Sequence, residues 1–161
     1  MKAMMQDNPT CEYVTLVLTA GYDCGANHYW VVEQINDRLI LASPEDYKDN
    51  YGELLNPFGC AGWEVVHVTP FLSADEYDMK RTVQLRRTPG DGTKWEYTVV
   101  FVEAEWAETE MNSGDFIVPD TRLLSAIPPS LSEQGWEMVW AMVYPWSEGT
   151  IEYVFKRRQM A

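Results

Sequence analysis

The sequence predicts an α+β fold made of two tandem related units, each an antiparallel sheet with one short helix, packed with pseudo-twofold symmetry. Three observations carry this. Gly62-Trp63-Glu64-Val65-Val66 reappears as Gly135-Trp136-Glu137-Met138-Val139, an offset of 73 residues. Leu85-Arg86-Arg87 reappears as Phe155-Lys156-Arg157, and Glu12-Tyr13-Val14-Thr15 as Glu96-Tyr97-Thr98-Val99, in the same order along the chain. Each set of anchors brackets the same succession of short alternating runs and one helical segment, the pattern of an internal repeat. The boundaries that follow are an extension at 1–10, a first unit at 11–88, a linker at 89–94 and a second unit at 95–158.

The first strand is predicted over Glu12–Thr19 and its counterpart over Trp95–Val102, with apolar residues on both faces. A hairpin follows: His28–Gln34 turns at Asn36-Asp37 into Arg38–Leu41, because Asn and Asp tolerate positive φ. The second unit repeats it over Glu105–Val118, with Trp106 in the place of Trp30. Ser43-Pro44-Glu45-Asp46 predicts a helix start, with a capping hydroxyl, a first-turn proline and acids on the helix dipole. Pro119-Asp120 opens the second helix less cleanly, and Pro128-Pro129 breaks or restarts it. Gly62 and Gly135 end the helices in the left-handed conformation. Trp63 and Trp136 then plug the helix-to-sheet junctions. Alternation places Trp136, Met138, Trp140, Met142 and Tyr144 on one face, and the last strands run over Lys80–Thr88 and Thr150–Arg158.

The order of Glu-Tyr-x-x-Val, a short helix, Gly-Trp-Glu-Val and Phe-Lys-Arg resembles a small bacterial and phage domain of unknown function. Both units carry it: Glu12-Tyr13-Val14, Gly62-Trp63-Glu64-Val65 and Leu85-Arg86-Arg87 in the first, Trp95-Glu96-Tyr97-Thr98-Val99, Gly135-Trp136-Glu137 and Phe155-Lys156-Arg157 in the second. The resemblance implies a compact α+β domain and no particular reaction. The insertions at 20–42 and 103–119 depart from the compact pattern. The phage occurrence of similar domains implies, as one version, a phage protein that sequesters a small signal as counter-defence.

Composition narrows the function classes. The 12 Lys and Arg stand against 25 Asp and Glu, a net charge of −13. Such a field repels phosphate backbones, so direct nucleic-acid binding is not expected. No apolar run approaches a membrane span, and the N-terminal residues lack the apolar core of a signal peptide, so a cytoplasmic protein without membrane contact is expected. The three cysteines form no Cys-x-x-Cys pair, and no metal site or cofactor motif is recognised. Nucleophile-elbow, phosphate-loop and His-Glu-x-x-His patterns are absent from the sequence.

The candidate ligand-binding residues are Arg86, Arg87, Lys156 and Arg157, with Tyr29, Trp30, Trp106, His67 and Trp140 as aromatic neighbours. The cations sit at equivalent strand ends in an acidic chain. They read either as edge-strand protection or as two related anion sites, in which Arg offers a planar fork and an indole stacks a base. His67 aligns with Trp140 and reads as core-facing or groove-lining. Gly62, Trp63, Gly135 and Trp136 read as structural. The leading expectation is a non-enzymatic binding protein for a small anionic, nucleotide-like ligand. The first alternative is an acidic protein-interaction or DNA-mimicking inhibitor module, with acids densest at Glu103, Glu105, Glu108 and Glu110. The second is a small hydrolase using Cys60 and His67. Tyr144-Pro145-Trp146 and the Met-rich strand supply apolar surface for self-association as a homodimer.

Overall fold

The computed structural model describes residues 10–22, 28–72, 79–103, 129–143 and 150–160. Their elements run β1 (Glu12–Tyr22), β2 (His28–Ile35), β3 (Arg38–Leu39), α1 (Tyr51–Cys60), β4 (Glu64–Leu72), β5 (Met79–Arg87), β6 (Trp95–Glu103), α2 (Pro129–Glu133), β7 (Glu137–Val143) and β8 (Thr150–Arg158). The strands form two antiparallel sheets, ordered β3-β2-β1-β5-β4 and β6-β8-β7. The fold is thus of α+β type, mostly antiparallel sheet with two α-helices among the described residues. None of these helices is long and apolar enough to cross a membrane. The second-unit hairpin with Trp106, the acids Glu105, Glu108 and Glu110, and Tyr144-Pro145-Trp146 lie outside the described residues.

The two strand triples share one register. Glu12 faces Arg87 and Tyr13 faces Arg86 in the first; Glu96 faces Arg157 and Tyr97 faces Lys156 in the second. Both carry a β-bulge at the same place, between Val65 and His67 and between Met138 and Trp140. The extra residue moves the strand out of step with its partner. Simple alternation over 136–144 therefore fails. Met138 pairs with Phe155 and Trp140 with Val154, on opposite faces of β8.

The helix start also differs from expectation. Ser43-Pro44-Glu45-Asp46 makes only a 3-10 turn over Pro44–Asp46, and α1 begins after Asn50, whose side chain accepts from the Gly52 N–H. The chain between them is held extended because Lys48 exchanges backbone hydrogen bonds with Trp30 on the edge of β2.

One core joins the sheets. Val14, Leu16, Leu18, Val83 and Leu85 from the front of the first sheet pack with Tyr51 and Leu55 of α1 and with Trp95, Tyr97, Val99 and Val154 of the second. A smaller cluster of Ile151, Tyr153 and Phe155, with Leu131 and Trp136, covers the other face of the second sheet. By register, Leu85 corresponds to Phe155 and Val83 to Tyr153. The sheets therefore meet through non-equivalent faces, the front of one on the back of the other. A twofold would pair equivalent contacts. Tyr97 hydrogen-bonds Trp63 and Val65, yet its counterpart Tyr13 is 60% exposed. The expected pseudo-twofold packing is corrected to a heterologous, front-to-back stack.

Helix α1 also solves an edge problem. Among the described residues strand β6 ends its sheet, and an open edge presents unpaired N–H and C=O groups. Asn50 Nδ2 donates to the Val99 carbonyl at 2.7 Å, and Asn56 Oδ1 accepts from the Tyr97 N–H at 2.7 Å. Gly59 lets the helix approach this closely, since a Cβ there would meet the Trp95 carbonyl oxygen.

Candidate functional site

Arg87 and Arg157 join the structural pairs Gly62-Trp63 and Gly135-Trp136 in two similar niches where a helix hands the chain to a strand. In the first, Gly62 takes φ 90°, its N–H donates to the Gly59 carbonyl, and the Trp63 N–H donates to Phe58. In the second, Gly135 takes φ 82°, with bonds to Ser132 and from Trp136 to Leu131. These residues satisfy helix-end carbonyls through a left-handed glycine. Each indole then lies under a guanidinium. The Arg87 carbon is 4.5 Å from the Trp63 ring centre and that of Arg157 is 4.4 Å from Trp136.

Each arginine is already engaged. Arg87 Nε and Nη2 donate to Glu12 at 2.8 and 2.6 Å, and Nη1 to the Ala61 carbonyl at 3.4 Å. Arg157 Nε donates to Glu96 at 2.7 Å and Nη1 to the Gln134 carbonyl at 3.3 Å. A cation at a helix C-terminus complements the dipole, and the carboxylate completes the charge balance.

Arg86 and Lys156 meet at one carboxylate. Lys156 Nζ lies 2.6 Å from Glu64 and Arg86 Nη2 lies 3.3 Å away, while Lys156 also sits over Trp95. Burial raises the pKa of Glu64, but the bond and charge of Lys156, then Arg86, outweigh it and hold the carboxyl below its usual range. Beside it, burial pushes the Tyr97 phenol up, against the favourable bond from the Val65 N–H.

The aromatic neighbours do not assemble around these cations. Trp30 is fully buried, tilted against Tyr51 at 4.8 Å between ring centres. Tyr29 is half-buried on β2, and Trp106 lies outside the described residues. His67 is exposed on the back of the first sheet, not core-facing, whereas Trp140 at the matching position packs against the shared core. Cys60 Sγ accepts from Gln159 Nε2, and no described hydrogen bond joins it to His67.

Two open clefts border the niches. One, about 430 Å³, is lined by Glu12, Arg87, Thr88, Gly92, Thr93 and Lys94 at the linker. The other, about 410 Å³, is lined by Asn50, Glu53, Asn56, Glu96, Thr98 and Trp136. The first mixes cations with acids; the second is acidic and amide-rich.

Between the sheets lie Arg81, which the sequence groups only with the basic strand residues, and Glu152, which it does not single out. Arg81 and Glu152 are both 0% exposed and form a two-pronged pair, Nε to Oε2 and Nη2 to Oε1, each at 3.0 Å. The Tyr51 hydroxyl donates to Glu152 at 2.7 Å, and Trp30 stacks beside Arg81. The available signal was a lone acid inside the apolar run Ile151-Glu152-Tyr153-Val154-Phe155. No family model, curated protein or solved structure matches the chain.

Proposed function

We propose that this chain is a non-enzymatic binding protein made of two related copies of one small unit, and that it acts as an acidic interaction module for a basic protein partner. The matched register, bulge and niche geometry support the duplication. The observation that carries the functional reading is the internal use of the cations. Arg86, Arg87, Lys156 and Arg157, the residues chosen for an anion, each face a carboxylate of this chain. What remains for a partner is the excess of acid behind the charge of −13, including exposed Asp37, Glu45, Asp49 and Glu53. Such a field steers positively charged partners.

The test is binding to a folded, basic nucleic-acid-binding protein, with duplex DNA as competitor. The complex is expected to weaken as salt rises and to be lost in a Glu45→Lys/Asp49→Lys/Glu53→Lys variant. Binding no tighter than that of an unrelated protein of equal charge would sink the reading.

A small anionic ligand is the second reading, favoured by the linker cleft, which Arg87, Thr88, Thr93 and Lys94 line together. A ligand there must displace Glu12 from Arg87. Nucleotides that raise the melting temperature of the wild type but not of Arg87→Ala would support it. A screen in which no nucleotide stabilises the wild type would end it.

A further inference from the structure

The β2-β3 hairpin ends in an apolar strip that the core does not use. Leu39 is 76% exposed and Leu41 is 99% exposed, with Ile40 and Tyr47 also open to solvent. Consecutive large aliphatics at this exposure are unusual on a surface that folding alone has shaped, and they mark contact sites. The strip lies on a sheet edge. Strand β3 pairs with β2 on one side, and among the described residues no strand lies beyond it. Ile40 extends that edge through its N–H bond to Glu33, and Lys48 returns to the same edge of β2 opposite Trp30. The rim is acidic: Asp37, Glu45, Asp46 and Asp49 outnumber Arg38 and Lys48, and all six are exposed. Asp46 stays ionised, because hydrogen bonds from the Ser43 backbone and hydroxyl hold its pKa below the usual carboxylate range.

An unpaired strand edge, an apolar centre and a negative rim together define what fits. We infer that the β3 edge takes an extended, apolar segment of a partner protein flanked by basic residues, which adds as a strand beside Leu39–Leu41. Main-chain hydrogen bonds along the edge provide affinity, the leucines bury the centre, and the rim selects Lys and Arg flanks. This rests on the acidic-interaction reading and names its docking surface.

The experiment titrates the full chain with a synthetic peptide of alternating Val and Thr flanked by Lys pairs, followed by amide resonances and calorimetry. Resonances of residues 38–41 and 33 are expected to move first. The same core flanked by Glu pairs is expected to bind at least roughly tenfold more weakly, as is the Lys peptide to a Leu39→Asp/Leu41→Asp variant. Both substituted side chains are exposed, so the fold tolerates the change, and Leu41→Val retains binding. Equal affinity for both peptides, shifts confined to other surfaces, or no binding would overturn the assignment. So would a concentration-dependent dimer that the double Asp variant abolishes, since the strip would then serve a second copy. If the double variant still captures a basic protein, the acidic module stands and only this surface falls. If the wild type captures none, the functional reading itself fails.

Discussion

The back faces of the two sheets occupy the same positions in the same register and meet opposite fates. On the first sheet the back face carries Tyr13, Thr15, His67, Gln84 and Arg86, and water reaches it. On the second the corresponding residues are Tyr97, Val99, Trp140, Val154 and Lys156, and the front of the first sheet lies on them. Thr15 stands where the second sheet has Val99, Gln84 where it has Val154, and His67 where it has Trp140. Hydrogen-bond register follows from the backbone pattern common to both triples; side-chain polarity follows from which face is covered. The difference teaches that the stack is closed. The first sheet offers its free back as a polar surface, so a third unit finds no apolar seat there. The helices agree, because Asn56 and Gly59, which let α1 cover the β6 edge, correspond to Pro129 and Ser132 in α2.

The largest way to break this asymmetry lies in the buried pair that joins the sheets. Arg81→Met or Glu152→Leu alone is expected to cost about 3–5 kcal/mol in urea unfolding, because each removes one half of a fully buried, two-pronged charge pair. The double variant should recover most of that loss. Their register counterparts are Ile151 and Thr82, so the pair is private to the front-to-back contact. Singles that cost nothing would mean that the two sheets do not pack as described.

Gly59→Ser gives the first helix the residue of the second. It is expected to cost about 3 kcal/mol, since the new side chain drives into the Trp95 carbonyl and the helix must lift from the β6 edge. The reverse change, Ser132→Gly, should cost about 1 kcal/mol or less by helix propensity. Thermal denaturation of both variants reads the contrast directly.

Tyr97→Phe removes a hydroxyl that accepts from Val65 and donates to Trp63, and it should cost about 2 kcal/mol. Tyr13→Phe at the matching exposed position should be silent. Raised by burial, the Tyr97 phenol also contributes stability that is present below its unfolded pKa and lost as pH rises through the folded one. Wild type should therefore lose more stability above about pH 10 than Tyr97→Phe does.

The smallest effect belongs to Glu64. Its pKa is depressed in the fold, so its contribution is present above the ordinary carboxylate range and fades as pH falls through the folded value. Wild type should lose more stability than Glu64→Gln on acidification below about pH 4. Parallel acid curves would show that Lys156 and Arg86 draw no stability from this carboxylate.

The sequence by itself marked the described strands, the turn at Asn36 with φ 50° and the left-handed glycines Gly62 and Gly135 that follow the two helices, though not where those helices begin. Each rests on short-range rules: alternation, positive-φ tolerance and repeated spacing act within a few residues. The arginine niches were half legible: the sequence marked Arg87 and Arg157 as equivalent cations, but it offered Tyr29, Trp30 and Trp106 as aromatic neighbours where the fold supplies Trp63 and Trp136. Their carboxylates Glu12 and Glu96 are cross-strand partners 75 and 61 residues away, and only pairing brought them close. What tertiary structure alone decided is which face of each sheet is covered, that the sheets stack front to back, and that Arg81 finds Glu152 across 71 residues of chain. Two faces with similar backbones are chosen between by the apolar area buried and the charges satisfied when the sheets meet, and that sum belongs to the whole molecule.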